Sequence, residues 1–270
     1  MGDVTSSKWR LDGYRVLITG STKGIGFAAA KEFIDLGAEV MVNGRNGADV
    51  KAAVARLGKR AYGCVADVAT PDGRDALLSE VSSHWDGLDC LVNNAGTNVR
   101  KPALEATPGE YSRIVGLNMD AVYHLCVGAH PLLTRSSRPT IVNVASAAGL
   151  LSTGSGAAYA VSKAGVVQLT RTLACEWAPK IRVNCVAPWV TWTPLLARTV
   201  EDDPTGHQRE SLRKAEAATP LGRCAMPEEM AGAICFFAMG ASGYVTGQTL
   251  CVDGGLLCEG FAGACVQRGG

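Results

Sequence analysis

The feature that most constrains the fold is a regular alternation of short apolar, β-rich runs with helical stretches. Seven such runs occur along the chain, and they read YRVLITG, AEVMVNG, AYGCVAD, LDCLVNNAG, PTIVNVAS, IRVNCVAP and QTLCVDGG. Strands that are apolar along their whole length and are separated by helices are typical of a parallel sheet covered on both faces. The alternation therefore predicts an α/β fold with a seven-stranded parallel sheet and helices on both faces.

The segment between the first two runs shows the helical half of this pattern. GIGFAAAKEFIDLGA places Phe27, Ala30 and Phe33 on a helical face, and it stops at Gly37, a residue type common at helix C-termini. Strand, helix and strand then form one βαβ unit. Because the chain has no long low-complexity linker and no internal repeat, we predict a flexible leader at 1–8 and a single doubly wound Rossmann-type domain at 9–270.

Composition is that of a globular chain without a strongly charged partner. Of 270 residues, 47% are hydrophobic and 19% are charged, and the formal net charge is +1, which argues against disorder and against a nucleic-acid partner. No apolar run reaches the ~18 residues of a membrane span, and the N-terminus does not resemble a signal peptide. We therefore expect a cytoplasmic protein without a membrane partner, although Gly2 and Ser6 fit the permissive pattern for myristoylation.

The cysteines and histidines do not indicate a metal site. The ten cysteines occur singly, without a C-x-x-C pair, and several fall in apolar runs such as AICFFAM. Reduced cysteines that act as small hydrophobic residues fit this distribution better than disulfides or metal ligands. The four histidines are also dispersed, so we predict that no metal is bound.

One segment interrupts the alternation directly after the sixth strand. From Trp189 to Pro220 the sequence is polar, weakly periodic and interrupted by prolines. Open α/β sheets bind ligands at the carboxyl ends of their strands, and insertions there often carry function. We predict a mobile substrate lid at 189–220, with a surface excursion of no function as the alternative.

A glycine-rich turn follows the first strand immediately. TGSTKGIG places Gly20, Gly24 and Gly26 between a strand and an amphipathic helix. Glycines in such a turn allow backbone N–H groups and the positive end of the helix to approach a pyrophosphate. We predict a nucleotide site that includes these glycines with Thr22, Lys23 and Ile25, the alternative being a purely structural turn.

The end of the second strand bears on the choice of nucleotide. Enzymes that select NAD usually have an acidic residue there, which binds the ribose hydroxyls and repels a 2′-phosphate. This strand ends in VNGRN, with no carboxylate before Asp49, whereas Arg45 and Lys23 are placed to pair with a phosphate. We therefore predict NADP(H) as the cofactor, unless both cations are merely solvated.

These motifs resemble those of the short-chain dehydrogenase/reductase family. Three residues separate the first two glycines of the turn, NNAG follows the fourth strand, and VTG and VDGG occur near the end, so that the resemblance runs from about Trp9 to Gly255. The resemblance implies further cofactor contacts at the adenine, the ribose and the nicotinamide. These are Asp67, Val68, Asn94, Ala95, Gly96, Pro188, Val190 and Thr193.

A tyrosine and a lysine four residues apart suggest the chemistry. Tyr159 and Lys163 share one face of a predicted helix, where the ammonium would lower the pKa of the phenol and make it a general acid/base for ketone reduction. Ser146, at the end of the fifth strand, could hold the substrate carbonyl. By resemblance to the family, Asn118 completes a catalytic set by kinking its helix and holding a water beside the lysine. Taken singly, Ser146 also fits a turn hydroxyl and Asn118 a polar interruption.

One position departs from the family pattern. After the sixth strand the family usually has Pro-Gly, but here Trp189 stands in the place of the glycine. A glycine there often serves a backbone geometry that a bulky residue cannot adopt. Trp189 therefore either reshapes the pocket or leaves the local backbone unchanged.

Within the family the chain resembles the tropinone-reductase-like group, through YHLCVGAHPLL, LACEWAPKIRVNCVAP and SGYVTGQTLCVDGGL. The resemblance implies an NADPH-dependent carbonyl reductase that forms a homotetramer. The predicted substrate pocket is mainly apolar, which suits a neutral cyclic or aromatic ketone. Its residues are Asn98, Ser146, Ala148, Leu150, Tyr159, Trp189, Trp192 and Leu196. The alternatives are a 3-oxoacyl carrier-protein reductase and a nucleotide-binding regulatory protein without turnover.

Overall fold

The computed structural model describes residues 8–259, which contain one seven-stranded sheet. Its strands are β1 (Arg15–Ile18), β2 (Glu39–Gly44), β3 (Ala61–Val65), β4 (Cys90–Asn93), β5 (Thr140–Val144), β6 (Arg182–Pro188) and β7 (Thr249–Val252). All neighbouring strands are parallel, in the order β3-β2-β1-β4-β5-β6-β7. The sheet predicted from the seven apolar runs is confirmed.

Helices alternate with these strands along the chain. They are α1 (Gly24–Asp35), α2 (Gly47–Leu57), α3 (Pro71–His84), α4 (Pro108–Val115), α5 (Ala121–Leu133), α6 (Ala157–Trp177), α7 (Pro194–Glu201), α8 (His207–Ala218), α9 (Pro227–Ala238) and α10 (Leu256–Glu259). A π-helical turn, Gly116–Asp120, joins α4 to α5. Short 3-10 turns occur at Ala103–Glu105, Ala147–Gly149 and Gly240–Ser242.

Two hydrophobic cores cover the two faces of the sheet. Side chains alternate along each strand, so that Leu17 packs into one core while Val16 and Ile18 pack into the other. Residues of α3, α5 and α6 complete the first core, and residues of α1 and α9 complete the second. Burial on both faces explains why the strands are apolar along their whole length.

The strand order determines where the chain can form a binding crevice. From β1 the sheet grows in one direction through β2 and β3, and in the other direction through β4 to β7. The connections after β1 and β4 therefore diverge at the carboxyl edge of the sheet. Open α/β sheets bind ligands at such a switch point, which here lies beside the glycine-rich turn.

The predicted lid segment is more regular than its sequence indicated. Residues 189–220 contain α7 and α8, and Thr191 forms a parallel bridge with Ala225. The side chain of Thr193 caps α7 by accepting a hydrogen bond from the N–H of Leu196 at 3.3 Å. This cap and the proline at the first position of α7 are typical signals for the start of a helix. A lid function for the segment remains a prediction.

Lys8, the last residue of the predicted leader, contacts the domain. The backbone carbonyl of Lys8 accepts a hydrogen bond from the N–H of Ala241 at 2.9 Å, so this residue is attached to the domain. Residues 1–7, with the myristoylation pattern at Gly2, lie outside the described residues.

No helix within residues 8–259 combines the length and the apolar character that crossing a membrane requires. In the same range, no three His, Cys, Asp or Glu side chains are grouped so that they could hold a metal ion.

Candidate active site

A single cleft of ≈ 490 Å³ lies along the carboxyl edge of the sheet. Its volume is in the range of small-molecule sites. Most of the predicted cofactor positions line it. They are Gly20, Thr22, Lys23, Gly24, Ile25, Arg45, Asp67, Val68, Asn94, Ala95, Gly96, Tyr159, Lys163, Pro188 and Thr193.

The glycine-rich turn has the geometry of a phosphate cradle. Gly20 and Gly24 have φ angles of +61° and +58°, in the left-handed region that favours glycine. A Cβ on Gly20 would also lie 2.9 Å from the Cα of Ala95. Helix α1 begins directly after this turn, with no side-chain cap and no acidic residue in its first turn. Its N-terminal N–H groups and positive dipole therefore fit a pyrophosphate.

The third glycine of the motif does not line the cleft. Gly26 is buried and is not among the residues that line the cleft. A Cβ at this position would lie 2.5 Å from both the Nδ2 of Asn94 and the carbonyl oxygen of Gly20. Gly26 thus allows α1 to pack closely against the loops that follow β1 and β4, and its contact with the cofactor remains a prediction.

Asn43, at the end of β2, supports the cradle and was missed by the sequence analysis. Its Oδ1 accepts a hydrogen bond from the N–H of Gly20 at 3.4 Å, and its Nδ2 donates to the carbonyl of Ala66 at 3.1 Å. The side chain is buried and also lines the cleft. The signal in the sequence is a polar residue inside the otherwise apolar run AEVMVNG.

The adenosine end of the cleft contains charges of both signs. The side chain of Arg45 is 73% exposed, and its guanidinium lies 3.8 Å from a carboxylate oxygen of Asp67. Lys23 and Asp49 also line this region. Because the Arg45 pair is long and solvated, its stabilising contribution is small, and a phosphate could readily replace Asp67 as the partner.

Tyr159 and Lys163 occupy successive turns of α6, as predicted. The ammonium of Lys163 lies 5.8 Å from the centre of the Tyr159 ring and donates a hydrogen bond to the carbonyl of Val144 at 2.8 Å. Lys163 is only 4% exposed, and burial lowers the pKa of its side chain to about 8. The lysine is therefore fixed beside the phenol, with a pKa close to neutrality.

The surroundings of Tyr159 shift the pKa of its phenol in both directions. Burial raises the pKa of the phenol above its usual value, and a hydrogen bond with Ser146 and the positive charge of Arg100 partly oppose this effect. The predicted stabilisation of a Tyr159 phenolate by Lys163 remains a prediction. Arg100 was not predicted, because no motif places it near Tyr159. It is brought there by the loop after β4, which packs against Gly156 just before α6.

Ser146 is held close to the phenol at the end of β5. Its hydroxyl accepts a hydrogen bond from the N–H of Ala148 at 3.2 Å and donates to the carbonyl of Pro188 at 3.5 Å. The residue is 9% exposed and lines the cleft. A carbonyl oxygen placed between Ser146 and Tyr159 would meet two hydroxyl groups.

Asn118 lies in the π-helical turn between α4 and α5, where the family resemblance predicted a kinked helix. Its side-chain amide makes two hydrogen bonds with the backbone of Thr97: Oδ1 accepts from the N–H and Nδ2 donates to the carbonyl, both at 2.8 Å. Its Nδ2 also donates to the hydroxyl of Ser162 at 3.2 Å. Asn118 therefore connects the loop after β4 to α6, and the predicted water beside Lys163 remains a prediction.

Trp189 does not disturb the backbone where the family has glycine. Among residues 8–259, every residue with a positive φ is a glycine, so Trp189 adopts a conformation open to any side chain. Its indole Nε1 donates a hydrogen bond to the hydroxyl of Thr219 at 3.0 Å. The ring lies between the cleft and an adjoining pocket of ≈ 70 Å³, and it lines both.

Several predicted positions do not line the cleft. These are Val190, Ala148, Leu150, Trp192 and Leu196. Val190 faces the adjoining pocket, whereas Thr191 faces the cleft, because side chains alternate where Thr191 bridges Ala225. In α7 it is Leu195, and not Leu196, that reaches the cleft. Thr97 and Asn98 also line the part of the cleft near Ser146 and Tyr159, so this part is more polar than predicted.

Comparison with known proteins places this arrangement in a family. Residues 20–257 match the family model described as enoyl-(acyl carrier protein) reductase. The chain belongs to the short-chain dehydrogenase/reductase family. It is 41% identical over 262 residues to a chloroplastic tropinone reductase homologue of Arabidopsis thaliana, covering 95% of this chain and 80% of that protein. It is 38% identical to a tropinone reductase homologue of Datura stramonium, covering 94% and 96%. The resemblance to the tropinone-reductase-like group is thereby confirmed.

A solved structure shows the same fold in this short-chain dehydrogenase/reductase family. A putative NAD(P)-dependent gluconate 5-dehydrogenase from Beutenbergia cavernae, with bound NADP at low occupancy, superposes with a TM-score of 0.86 at 35% identity. The match covers 93% of this chain and 100% of that one. The chain is thus an oxidoreductase of a family that uses NAD(P) and small-molecule substrates. Because one relative is chloroplastic, a cytoplasmic location remains a prediction.

Proposed function

We propose that this protein is an NADP(H)-dependent carbonyl reductase that converts a small ketone to the secondary alcohol, in a reversible reaction. The observation that carries the proposal is the presence of Ser146, Tyr159 and Lys163 in the same cleft as the glycine-rich turn. A hydroxyl, a phenol and a buried ammonium lie where a nicotinamide could reach when its pyrophosphate is bound at α1.

The dinucleotide, when bound, supplies the hydride for the carbonyl carbon. Ser146 orients the carbonyl oxygen by donating a hydrogen bond, and the phenol of Tyr159 transfers its proton to that oxygen as negative charge develops. The ammonium of Lys163 stabilises the phenolate that remains. Alcohol oxidation reverses these transfers, with the phenolate of Tyr159 accepting the proton of the alcohol.

The choice of NADP(H) rests on Arg45 and Lys23. Both cations line the adenosine end of the cleft, and β2 ends without a carboxylate that would repel a 2′-phosphate. Arg45 can bind such a phosphate with two N–H groups once it leaves Asp67. Asp49 works against this choice, so the preference depends on the two cations outweighing one nearby carboxylate.

The proposed substrate is a small ketone. Of the aromatic residues predicted for the pocket, Tyr159 and Trp189 line the cleft, and a cyclic or aromatic ketone can pack on the ring of Trp189. The sequence argument for a mainly apolar pocket is weaker, because four of the predicted pocket residues do not reach the cleft. A homotetramer in the cytoplasm remains part of the proposal, on the basis of family resemblance.

A second candidate function is the reduction of 3-oxoacyl groups on a carrier protein. The description of the matching family model names an enoyl-(acyl carrier protein) reductase, which supports a substrate on a carrier protein but names the reduction of a carbon–carbon double bond and not of a ketone. The net charge of +1 argues mildly against an acidic protein partner. A regulatory protein without turnover loses its main support, because Trp189 leaves the backbone of the site intact.

The test is NADPH oxidation by wild type and Tyr159→Phe, measured with cyclic, aromatic and acyl-thioester ketones and with NADH for comparison. We expect wild type to reduce a small ketone with NADPH, and the variant to lose about 100-fold or more in kcat, since general acid catalysis typically contributes that much. A preference for the acyl thioester would select the second candidate. Equal activity of the variant would remove Tyr159 from the reaction.

A further inference from the structure

Asn98 lies at the substrate end of the cleft with half of its side-chain amide unused. It follows β4 by five residues and lines the cleft together with Ser146 and Tyr159. Its Nδ2 donates a hydrogen bond to the carbonyl of Ser155 at 3.0 Å. Its Oδ1 is shielded from solvent and has no hydrogen-bond partner within residues 8–259.

The hydrogen bond to Ser155 determines which end of the amide is unused. A backbone carbonyl only accepts, so the group that faces Ser155 must be the NH₂. Turning the amide over would bring two oxygens together. Ser155 lies in the loop between Ser146 and α6, and this bond therefore fixes Asn98 against the segment that carries the reacting side chains.

An unpaired acceptor of this kind is unfavourable in the free protein. Leaving a buried polar atom without a partner costs about 1–3 kcal/mol, which a leucine of similar size would avoid. Two other side-chain oxygens in the described residues lack a partner, Asn93 Oδ1 and Thr249 Oγ1, but neither residue lines the cleft. Of the three, Asn98 is thus the one whose residue lines the cleft, where a hydrogen-bond donor of a bound molecule could become the partner of its oxygen.

We propose that Asn98 is a specificity-determining residue whose Oδ1 accepts a hydrogen bond from a hydroxyl of the substrate, and that this hydroxyl is on the carbon next to the carbonyl, because Asn98 lines the same cleft as Ser146 and Tyr159. The inference rests on the proposed function, since it concerns the same cleft. A site with a buried acceptor discriminates strongly against analogues that cannot donate, because the acceptor then stays unpaired.

The experiment compares three cyclohexanones as substrates with NADPH. One is unsubstituted, one carries a hydroxyl next to the carbonyl, and one carries a methoxy group there, which withdraws electrons in a similar way but cannot donate. The ratio of kcat/KM for the hydroxy and methoxy ketones isolates the donated hydrogen bond. We expect a ratio of about 10 or more in wild type and close to one in Asn98→Leu, since about 1.4 kcal/mol corresponds to a tenfold change.

Two controls keep the result interpretable. Ser155→Ala removes a hydroxyl that pairs with Thr153 at 2.7 Å but keeps the carbonyl that holds Asn98, and it should leave the ratio unchanged. Reduction of the methoxy ketone by Asn98→Leu shows that this variant is folded. Equal kcat/KM for the hydroxy and methoxy ketones in wild type, or an unchanged ratio in Asn98→Leu, overturns the inference alone. If wild type reduces none of the three ketones, the proposed function and the inference both fail for this substrate class.

Discussion

At the scale of single residues, burial has opposite effects on the two titrating groups of the site. It raises the pKa of the Tyr159 phenol and lowers the pKa of the Lys163 ammonium to about 8, because a charged form is disfavoured away from water. The phenol is therefore protonated at neutral pH, as an acid for ketone reduction must be. The positive charge of Arg100, which lies outside the Tyr159–Lys163 motif, partly opposes the rise in the pKa of Tyr159.

The pKa of Lys163 leads to a prediction about pH. Ketone reduction should fall as the pH rises through about 8, because the ammonium beside Tyr159 loses its proton and can no longer stabilise the phenolate. The measurement is kcat/KM for the ketone as a function of pH at saturating NADPH. The decline should move to higher pH in Lys163→Arg, since a guanidinium keeps its charge. A profile that stays flat well above that pH would show that the lysine charge is not needed.

Arg45 gives a second prediction at this scale. Arg45→Ala should raise the KM for NADPH about tenfold, a factor that corresponds to about 1.4 kcal/mol for a charge-assisted bond at an exposed site. The KM for NADH should change little, because NADH lacks the 2′-phosphate. Arg171→Ala, an exposed arginine on α6 outside the cleft, serves as the control. An equal effect on both dinucleotides would indicate that Arg45 does not read the phosphate.

At the scale of elements, the site depends on how α6 is attached to the π-helical turn. The hydroxyl of Ser162 accepts a hydrogen bond from Asn118 at 3.2 Å and donates one to the carbonyl of Tyr159 at 2.8 Å. Ser162 is completely buried, so no solvent can replace these bonds. The side chain of Ser162 thus fixes the position of α6 relative to the π-helical turn.

Ser162→Ala tests this attachment. It leaves an amide hydrogen of Asn118 unpaired, and we expect a loss of about 1–3 kcal/mol in the free energy of unfolding together with a lower kcat. The KM for NADPH should stay nearly constant, because Ser162 does not line the cleft and its hydroxyl bonds with Asn118 and Tyr159 and not with the glycine-rich turn. Thr172→Ala is the matched control, since its hydroxyl bonds within the exposed face of the same helix at 3.2 Å. If both variants behave alike, Ser162 has no particular role in positioning the site.

At the scale of the whole molecule, the cleft collects residues from both halves of the sheet. The glycine-rich turn follows β1, Arg45 follows β2, Ser146 follows β5, and Tyr159 comes from α6. A ligand that contacts all of these segments binds the folded chain and not the unfolded one. Its binding free energy is then added to the stability of the entire domain.

Cofactor binding should therefore raise the thermal midpoint of unfolding. At 100 times its dissociation constant, a ligand adds about 2.7 kcal/mol, which corresponds to roughly 5–10 °C for a domain of this size. NADPH should have the larger effect at equal concentration, and the difference from NADH should disappear in Arg45→Ala. A thermal-shift assay measures both. Equal shifts for the two dinucleotides in wild type would contradict the predicted NADP(H) preference.

Much of this molecule could be predicted because its signals are local in the chain. A strand buried on both faces must be apolar along its length, and a phosphate turn needs glycines at set positions before a helix, so short windows of sequence revealed the seven strands and the nucleotide site. The pairing of Tyr159 with Lys163 follows from helical spacing alone. Ser146 was predicted from its place at the end of the fifth strand and Asn118 from family resemblance, and the structure places Ser146 near the phenol and Asn118 against α6.

The tertiary structure decided what depends on contacts between segments distant in sequence. Helix packing gave Gly26 a structural role, loop packing brought Arg100 to the phenol, and the bridge at Thr191 turned Val190 away from the cleft. The unpaired oxygen of Asn98 exists only because the loop after β4 meets the carbonyl of Ser155. By itself, the sequence determined the fold and the reacting groups, since periodicity and spacing encode them. The pKa values of Tyr159 and Lys163, and the shape of the cleft near Ser146, depend on how deeply these side chains are buried and on which residues surround them. Both arise only when the chain is folded.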